Sequence, residues 1–232
     1  MRLLSISSQV VAGHVGNAAL AHPLACQGAT LLAVPTVLFS NHPGYGRFAG
    51  RALPGEEVAA LLAGLEAGGF LAGLDGLLTG YLGRPETALA AAEAAARLRA
   101  GGCRYLLDPV LGDAGRLYVA EGIEAVVRDR LLPLAEAVTP NPFELERLTG
   151  QATGEAAQQL AAARLLLARG PRLVLVTSAA APRGEAACLL VTPQGAWRLA
   201  TPRLDFAVAP NGAGDLLAGL LLAELCRGAA AL

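Results

Sequence analysis

Short apolar runs alternate with longer Ala- and Leu-rich stretches along almost the whole chain, and this alternation restricts the fold more than any other feature of the sequence. Short continuous apolar runs suit strands buried on both faces, and apolar residues at helical spacing mark helices that cover them. The runs at 2–7, 29–34, 74–79, 104–108, 172–178, 186–192 and 195–200 predict strands; the stretches 16–27, 55–67, 85–100, 121–131, 142–149, 155–169 and 213–227 predict helices. Such a succession implies an α/β fold with a mostly parallel sheet and helices on both faces. Pro193-Gln194-Gly195 joins the last two strands as a hairpin, so an antiparallel edge is expected. The polar, Gly-rich stretch 36–52 has little periodicity and reads as a long loop of the kind that usually carries function. A chain of 232 residues with no linker or internal repeat is expected to form one domain over 1–232.

Composition removes several function classes. With 54% hydrophobic and 16% charged residues the chain can bury a sizeable core. A formal net charge of −1 without long runs of one sign argues against nucleic acid as a partner. All 18 basic residues are Arg, so no Schiff base can form on a side-chain amine and no phosphate-loop Lys exists. Apolar runs fall short of the roughly 18 residues of a membrane span, and polar residues interrupt the N-terminus too early for a signal peptide. A soluble, cytoplasmic protein is expected. Cys26, Cys103, Cys188 and Cys226 are widely spaced and read as reduced thiols, and His14, His22 and His42 lack metal-ligand spacing.

Three clusters can carry chemistry. Asn211-Gly212-Ala213-Gly214-Asp215 runs straight into an apolar helix, where backbone N–H groups and the helix dipole favour an anion. An acid there opposes that anion unless it takes a proton from an attacking hydroxyl; otherwise Asp215 is a residue that favours a helix start. Asp108-Pro109-Val110-Leu111-Gly112-Asp113 follows a strand, as does Thr139-Pro140-Asn141-Pro142-Phe143-Glu144, and Thr177-Ser178 ends a third. In open α/β sheets ligands bind outside the carboxyl ends of the strands, which places these clusters in one site and lets the acids face a metal bound to phosphates. Phe39, His42 and Tyr45 in the glycine-bearing segment Thr36–Gly46 read either as a surface loop or as a lid that excludes water.

Taken in order, Ser5-Ile6-Ser7-Ser8-Gln9-Val10-Val11-Ala12-Gly13-His14-Val15-Gly16-Asn17, the run F-S-N-H-P-G-Y, Leu78-Thr79-Gly80-Tyr81, D-P-V-L-G-D, T-P-N-P-F-E and N-G-A-G-D resemble the motifs of the pyridoxal kinases. Those belong to the ribokinase-like superfamily. The resemblance covers nearly the whole chain and implies a three-layer ribokinase-like fold, a homodimer, and transfer of the ATP γ-phosphate to the 5′-hydroxymethyl of pyridoxal, with pyridoxine and pyridoxamine as further substrates. It makes Asp215 the base and Gly212, Ala213 and Gly214 the anion hole. Asp108, Asp113 and Glu144 would organise Mg²⁺ and the phosphates, Asp113 and Glu144 as metal residues, with K⁺ as a possible monovalent cation. Thr139, Asn141, Thr177 and Ser178 would line the nucleotide, Ser8 would bond the ring's polar edge, and Val15, Val37, Phe39, Pro43 and Tyr81 would surround the ring.

Departures from the motifs have expected consequences. Pro43 stands where a Thr is usual, Leu38 for Gln, Ala213 for Thr, and Gln9 for His, and the chain is short at the C-terminus, where relatives continue. Weaker substrate and ATP binding is expected, together with an uncovered surface of Leu216, Leu217, Leu220, Leu221 and Leu225 on the last helix. Two alternatives stay open: a hydroxymethylpyrimidine-type kinase, and a truncated homologue that binds ligand without turnover.

Overall fold

In the computed structural model, which describes residues 1–207 and 210–228, strands and helices alternate as the apolar pattern requires. The first half contains β1 (Arg2–Ala12), α1 (Asn17–Cys26), β2 (Thr30–Asn41), β3 (Gly50–Ala52), α2 (Gly55–Ala67), β4 (Gly76–Thr79), α3 (Pro85–Ala100) and β5 (Arg104–Leu107). The second contains β6 (Gly112–Asp113), β7 (Arg116–Leu117), α4 (Ile123–Val126), β8 (Ala137–Val138), α5 (Pro142–Thr149), α6 (Ala156–Leu167), β9 (Leu173–Ala179), β10 (Glu185–Thr192), β11 (Gly195–Pro202) and α7 (Ala213–Cys226). Nine strands form one sheet in the order β11-β10-β9-β8-β5-β4-β1-β2-β3, and β6 with β7 makes a separate ribbon. Neighbours from β2 through β9 are parallel, whereas β3, β10 and β11 pair antiparallel, so the expected edge hairpin is present.

Two apolar layers hold this sheet. Leu4 and Ile6 of β1 face one core with Leu62 of α2, the alanines of α3, Leu145 and Leu148 of α5, and Leu166 of α6. Leu3, on the other face by strand alternation, packs with Leu20 and Leu24 of α1 and Ala218, Leu222 and Leu225 of α7. Helix α3 shows how local sequence sets a boundary: Pro85 opens it, Arg97 and Arg99 lie in its last turn, and Gly101 follows. Its buried Ala88, Ala91, Ala92 and Ala95 let the helix lie close to the sheet.

Three sequence expectations change. The stretch 36–52 is not one loop: β2 continues to Asn41 and β3 pairs back onto Val37–Phe39, leaving a tip of residues 42–49. Irregular pairing of β2 with β1 beyond Ser7 breaks the alternation that marks a strand in sequence. The helix expected over 121–131 is a single α turn that widens to a π turn at Val127–Leu131, before a 3₁₀ turn containing Pro133. Leu216, Leu217, Leu220 and Leu221 are partly buried and Leu225 is buried, so the surface expected to be uncovered on α7 is largely closed.

One buried amide fixes α1 against the sheet. Asn17 is 1% exposed; its Oδ1 accepts from Ser5 Oγ at 2.7 Å, and its Nδ2 donates to the carbonyls of Ser7 at 3.1 Å and Val34 at 3.2 Å. Asn17→Ala strands these partners, and the penalty for one unpaired buried group is about 1–3 kcal/mol. The variant is expected to lose about 2–4 kcal/mol in urea unfolding; a loss below about 0.5 kcal/mol would show that the network carries no stability.

Candidate active site

Because β9, β8, β5, β4 and β1 are adjacent and parallel, their carboxyl ends lie along one edge. In that order the edge carries Thr177 and Ser178, then Thr139 and Asn141, then Asp108, then Gly80 and Tyr81, then Ser7 and Ser8, where β1 runs on past the end of β4. Sequence motifs far apart in the chain thus become a row.

Glu144 binds the middle of this row together. Its Oε1 accepts the Leu111 amide at 2.9 Å and its Oε2 the Asn141 amide at 2.9 Å, while Asn141 Oδ1 accepts the Glu144 amide at 2.9 Å in a reciprocal capping box. Asn141 Nδ2 also donates to the Gly112 carbonyl at 2.8 Å, and Thr139 Oγ1 to Asp108 Oδ1 at 3.1 Å. Burial is the first cause that raises the Glu144 carboxyl to about 7, against the pull of backbone amides. Asp108 is driven well above the usual carboxylate range, first by burial and then by the charges of Glu144 and Asp215. Val110 and Ser178 have φ of 38° and 48°, left-handed values unusual for residues with a Cβ. Backbone strain thus sits at the ends of β5 and β9.

Asp215 lies in the first turn of α7, whose N-cap Gly212 has φ 84° and provides no side-chain cap. The amides of that turn are therefore available to an anion. A Cβ on Gly212 would collide with the His14 carbonyl, so the start of α7 packs directly on the turn after β1, and one on Gly16 would collide with Ser8, so that turn folds tightly against its own strand. The Gly16 amide reaches the Asp215 carboxylate; burial raises this acid, while that amide and the His42 imidazole pull it down.

The tip of residues 42–49 is anchored rather than free-standing. His42 Nδ1 accepts the Gly44 amide at 3.2 Å, Phe39 and Phe48 have ring centroids 4.8 Å apart, and Tyr45 lies over Gly13. Pro43 is exposed at the start of the tip turn; Ser8, Phe39 and Tyr81 are partly buried at its base. Val15 and Val37 are enclosed in the core. Asp113 is exposed in the ribbon, with its Oδ1 accepting the Ala114 amide at 2.7 Å. Among the described residues no three His, Cys, Asp or Glu side chains converge as a ready metal cage. Carboxylate oxygens nevertheless suit a hard cation shared with phosphates and water.

Tyr118, which the sequence reading passed over, stands just after β7 in reach of the acids: burial raises its phenol, followed by the charges of Glu144, Asp108, Asp113 and Asp215. No local motif marks it, because the two-residue strand that precedes it leaves no periodicity.

A model of the phosphomethylpyrimidine kinase family matches residues 72–231, which defines the class of the protein as a small-molecule kinase. Pyridoxal kinase PdxY of Deinococcus radiodurans is 43% identical, over 97% of this chain and 79% of the relative. A pyridoxine/pyridoxal/pyridoxamine kinase of Bordetella avium is 44% identical, over 98% of this chain and 78% of the relative. The structure of pyridoxal kinase from Leishmania donovani in complex with ADP and pyridoxine superposes with a TM-score of 0.88 at 31% identity, covering 97% of this chain and 78% of that one. The chain belongs to the pyridoxal kinases within that family.

The raised carboxyls make stability depend on pH in an unusual direction. An acid whose pKa is higher folded than unfolded binds its proton more tightly in the folded state, so stability falls as pH rises from the unfolded value, 4.5 for Glu144, to about 7. Asp108 and Asp215 act in the same sense. The urea midpoint is expected to fall across that window, and Glu144→Gln, which keeps a cap acceptor but cannot ionise, is expected to flatten the fall. An unchanged slope in the variant would refute the assignment.

Proposed function

We propose that the protein transfers the γ-phosphate of ATP to the 5′-hydroxymethyl of pyridoxal, and of pyridoxine and pyridoxamine, giving the phosphorylated vitamin. The observation that carries this reading is the single row of strand ends that terminates at Asp215 and the open N-terminus of α7. Phosphoryl transfer needs positioning, positive potential and a base more than covalent help, which suits a chain without Lys.

In this reading Asp215 takes the proton of the acceptor hydroxyl, and the amides of Gly212, Ala213 and Gly214 receive the transferred phosphoryl oxygens. Thr139, Asn141, Thr177 and Ser178 line the nucleotide, and Asp108 faces its phosphates. Asp113 and Glu144, with Asp108, would hold Mg²⁺ through water and phosphate; that ion supplies charge neutralisation when bound, and K⁺ is a further candidate ion. Ser8, Phe39, Pro43 and Tyr81 border the ring, with Val15 and Val37 packing beneath it. The relatives named for pyridoxal and the complex with ADP and pyridoxine support this substrate class.

Asp215→Asn tests the reading. Loss of a positioned base is expected to lower kcat about 10²–10⁴-fold with the KM for ATP nearly unchanged, measured as ADP formed with pyridoxal. Near-parental turnover would remove Asp215 from the role of base.

The reading also includes a cytoplasmic location and a homodimer. No Asp, Glu, Lys or Arg occurs between Leu3 and Gly46, and the outward residues Ala21, His22, Ala25 and Cys26 of α1 are exposed without charge. A two-fold axis brings a surface against itself, so an uncharged face meets its copy without like-charge repulsion. Ala25→Arg is expected to halve the mass seen by sedimentation; a dimer that persists would place the contact elsewhere.

A further inference from the structure

Ser7 provides the one buried side-chain oxygen or nitrogen among the described residues that lacks a hydrogen-bond partner. The residue is 1% exposed, so its hydroxyl has exchanged water for nothing, which costs stability and calls for a physical reason. Side-chain size does not supply one, because alanine would fill nearly the same volume without the cost. Ser5, two residues earlier and on the same face of β1, spends its hydroxyl on Asn17. Ser7 does not.

Its location supplies the reason. Gly80 follows β4 beside the middle of β1, where its amide donates to the Ile6 carbonyl at 3.1 Å. An ideal Cβ on Gly80 would lie 2.5 Å from Ser7 Oγ and 4.0 Å from Asp215 Oδ1. The unpaired hydroxyl and the carboxylate at the start of α7 therefore stand around the same bare Cα. Any larger residue at position 80 would separate them. No hydrogen bond fixes the Ser7 side chain, so its hydroxyl can turn among its staggered positions.

We propose that Ser7 is a further residue of the phosphoryl-acceptor site, whose hydroxyl donates a hydrogen bond to the substrate alcohol and aims that oxygen during transfer. This rests on the kinase reading above. The alcohol O–H bond breaks and its proton passes to the Asp215 carboxylate. The alcohol oxygen forms the new bond to the γ-phosphorus, and the bond from that phosphorus to its bridging oxygen breaks, its electron pair leaving with ADP. Ser7 keeps its own proton throughout and orients the attacking oxygen. Gly80 leaves the room for that arrangement.

Ser7→Ala separates this role from a structural one, because removing an orphan hydroxyl should not weaken the fold. The expected result is a melting temperature equal to or above the parent's, a kcat with pyridoxal lowered about 5–30-fold, as befits one lost orienting hydrogen bond, and an unchanged KM for ATP. Slow ATP hydrolysis without any vitamer should also be unchanged, since water does not need the orienting contact. A kcat within twofold of the parent would overturn the proposal, and so would a loss of kcat that tracks a lowered melting temperature. The parent protein tests the underlying reading separately: if it phosphorylates none of pyridoxal, pyridoxine and pyridoxamine, the kinase reading fails before any variant is compared.

Discussion

A single buried carboxylate organises the catalytic edge. Glu144 accepts amide hydrogens from two loops that follow different strands, Leu111 after β5 and Asn141 after β8, and in return its own amide is capped by Asn141. The bonds from the Asn141 side chain to the Gly112 carbonyl and from Thr139 to Asp108 add to this clamp, and β8 contributes only Ala137 and Val138 to the ladder. With so short a strand, the position of Asp108 relative to Thr139 and Asn141 depends on side-chain hydrogen bonds. The left-handed backbone of Val110, between Asp108 and Leu111, is held in place by the same clamp.

The other end of the edge is set by steric exclusion. Gly212 permits the start of α7 to touch the turn after β1 where no Cβ fits, and Gly16 lets that turn fold against Ser8, which together seat the first turn of α7 over β1. The two devices place distinct groups at defined stations: open amides and Asp215 beside β1 and β4, and acids with hydroxyls beside β5, β8 and β9. The parallel core supplies the row, and loop chemistry gives each station its function.

The parts of this arrangement legible in the sequence are those with a local physical signature. Strands such as β4 and β5 are continuous apolar runs, α3 carries both end signals, and the β10–β11 hairpin has its turn residues in place. Asp215 stood out because an acid beside an anion-binding helix start is electrostatically odd. What was hidden depends on partners distant in sequence. Strand β3 exists through pairing with β2, the ribbon strands are two residues each, and Tyr118 matters for the acids it faces, which lie on other elements. Ser7 reads as an ordinary strand serine until the position of Gly80 is known. Glu144 was legible as an acid at a helix start, but its clamp on the Leu111 amide was not.

The charge balance of the edge explains why these costs persist. The ion pairs of the described residues connect other groups, among them Arg51 with Glu57, Arg104 with Glu136 and Arg147 with Glu124, and none includes Asp108, Glu144 or Asp215. Burial is the first cause that raises all three acids, and neighbouring carboxylates add to it at Asp108 and Glu144. The electrostatic cost that destabilises the free protein at neutral pH is relieved by any ligand that brings positive charge to the acids. A free polyphosphate does the opposite, since it would satisfy the amides of α7 while facing three carboxylates. In the proposed reading, the complement of this edge is a divalent cation and a phosphate chain together, each screening what repels the other. Under that proposal their binding is coupled by reciprocal free energy, and the role proposed for the acids is to select the metal-bound form of the nucleotide.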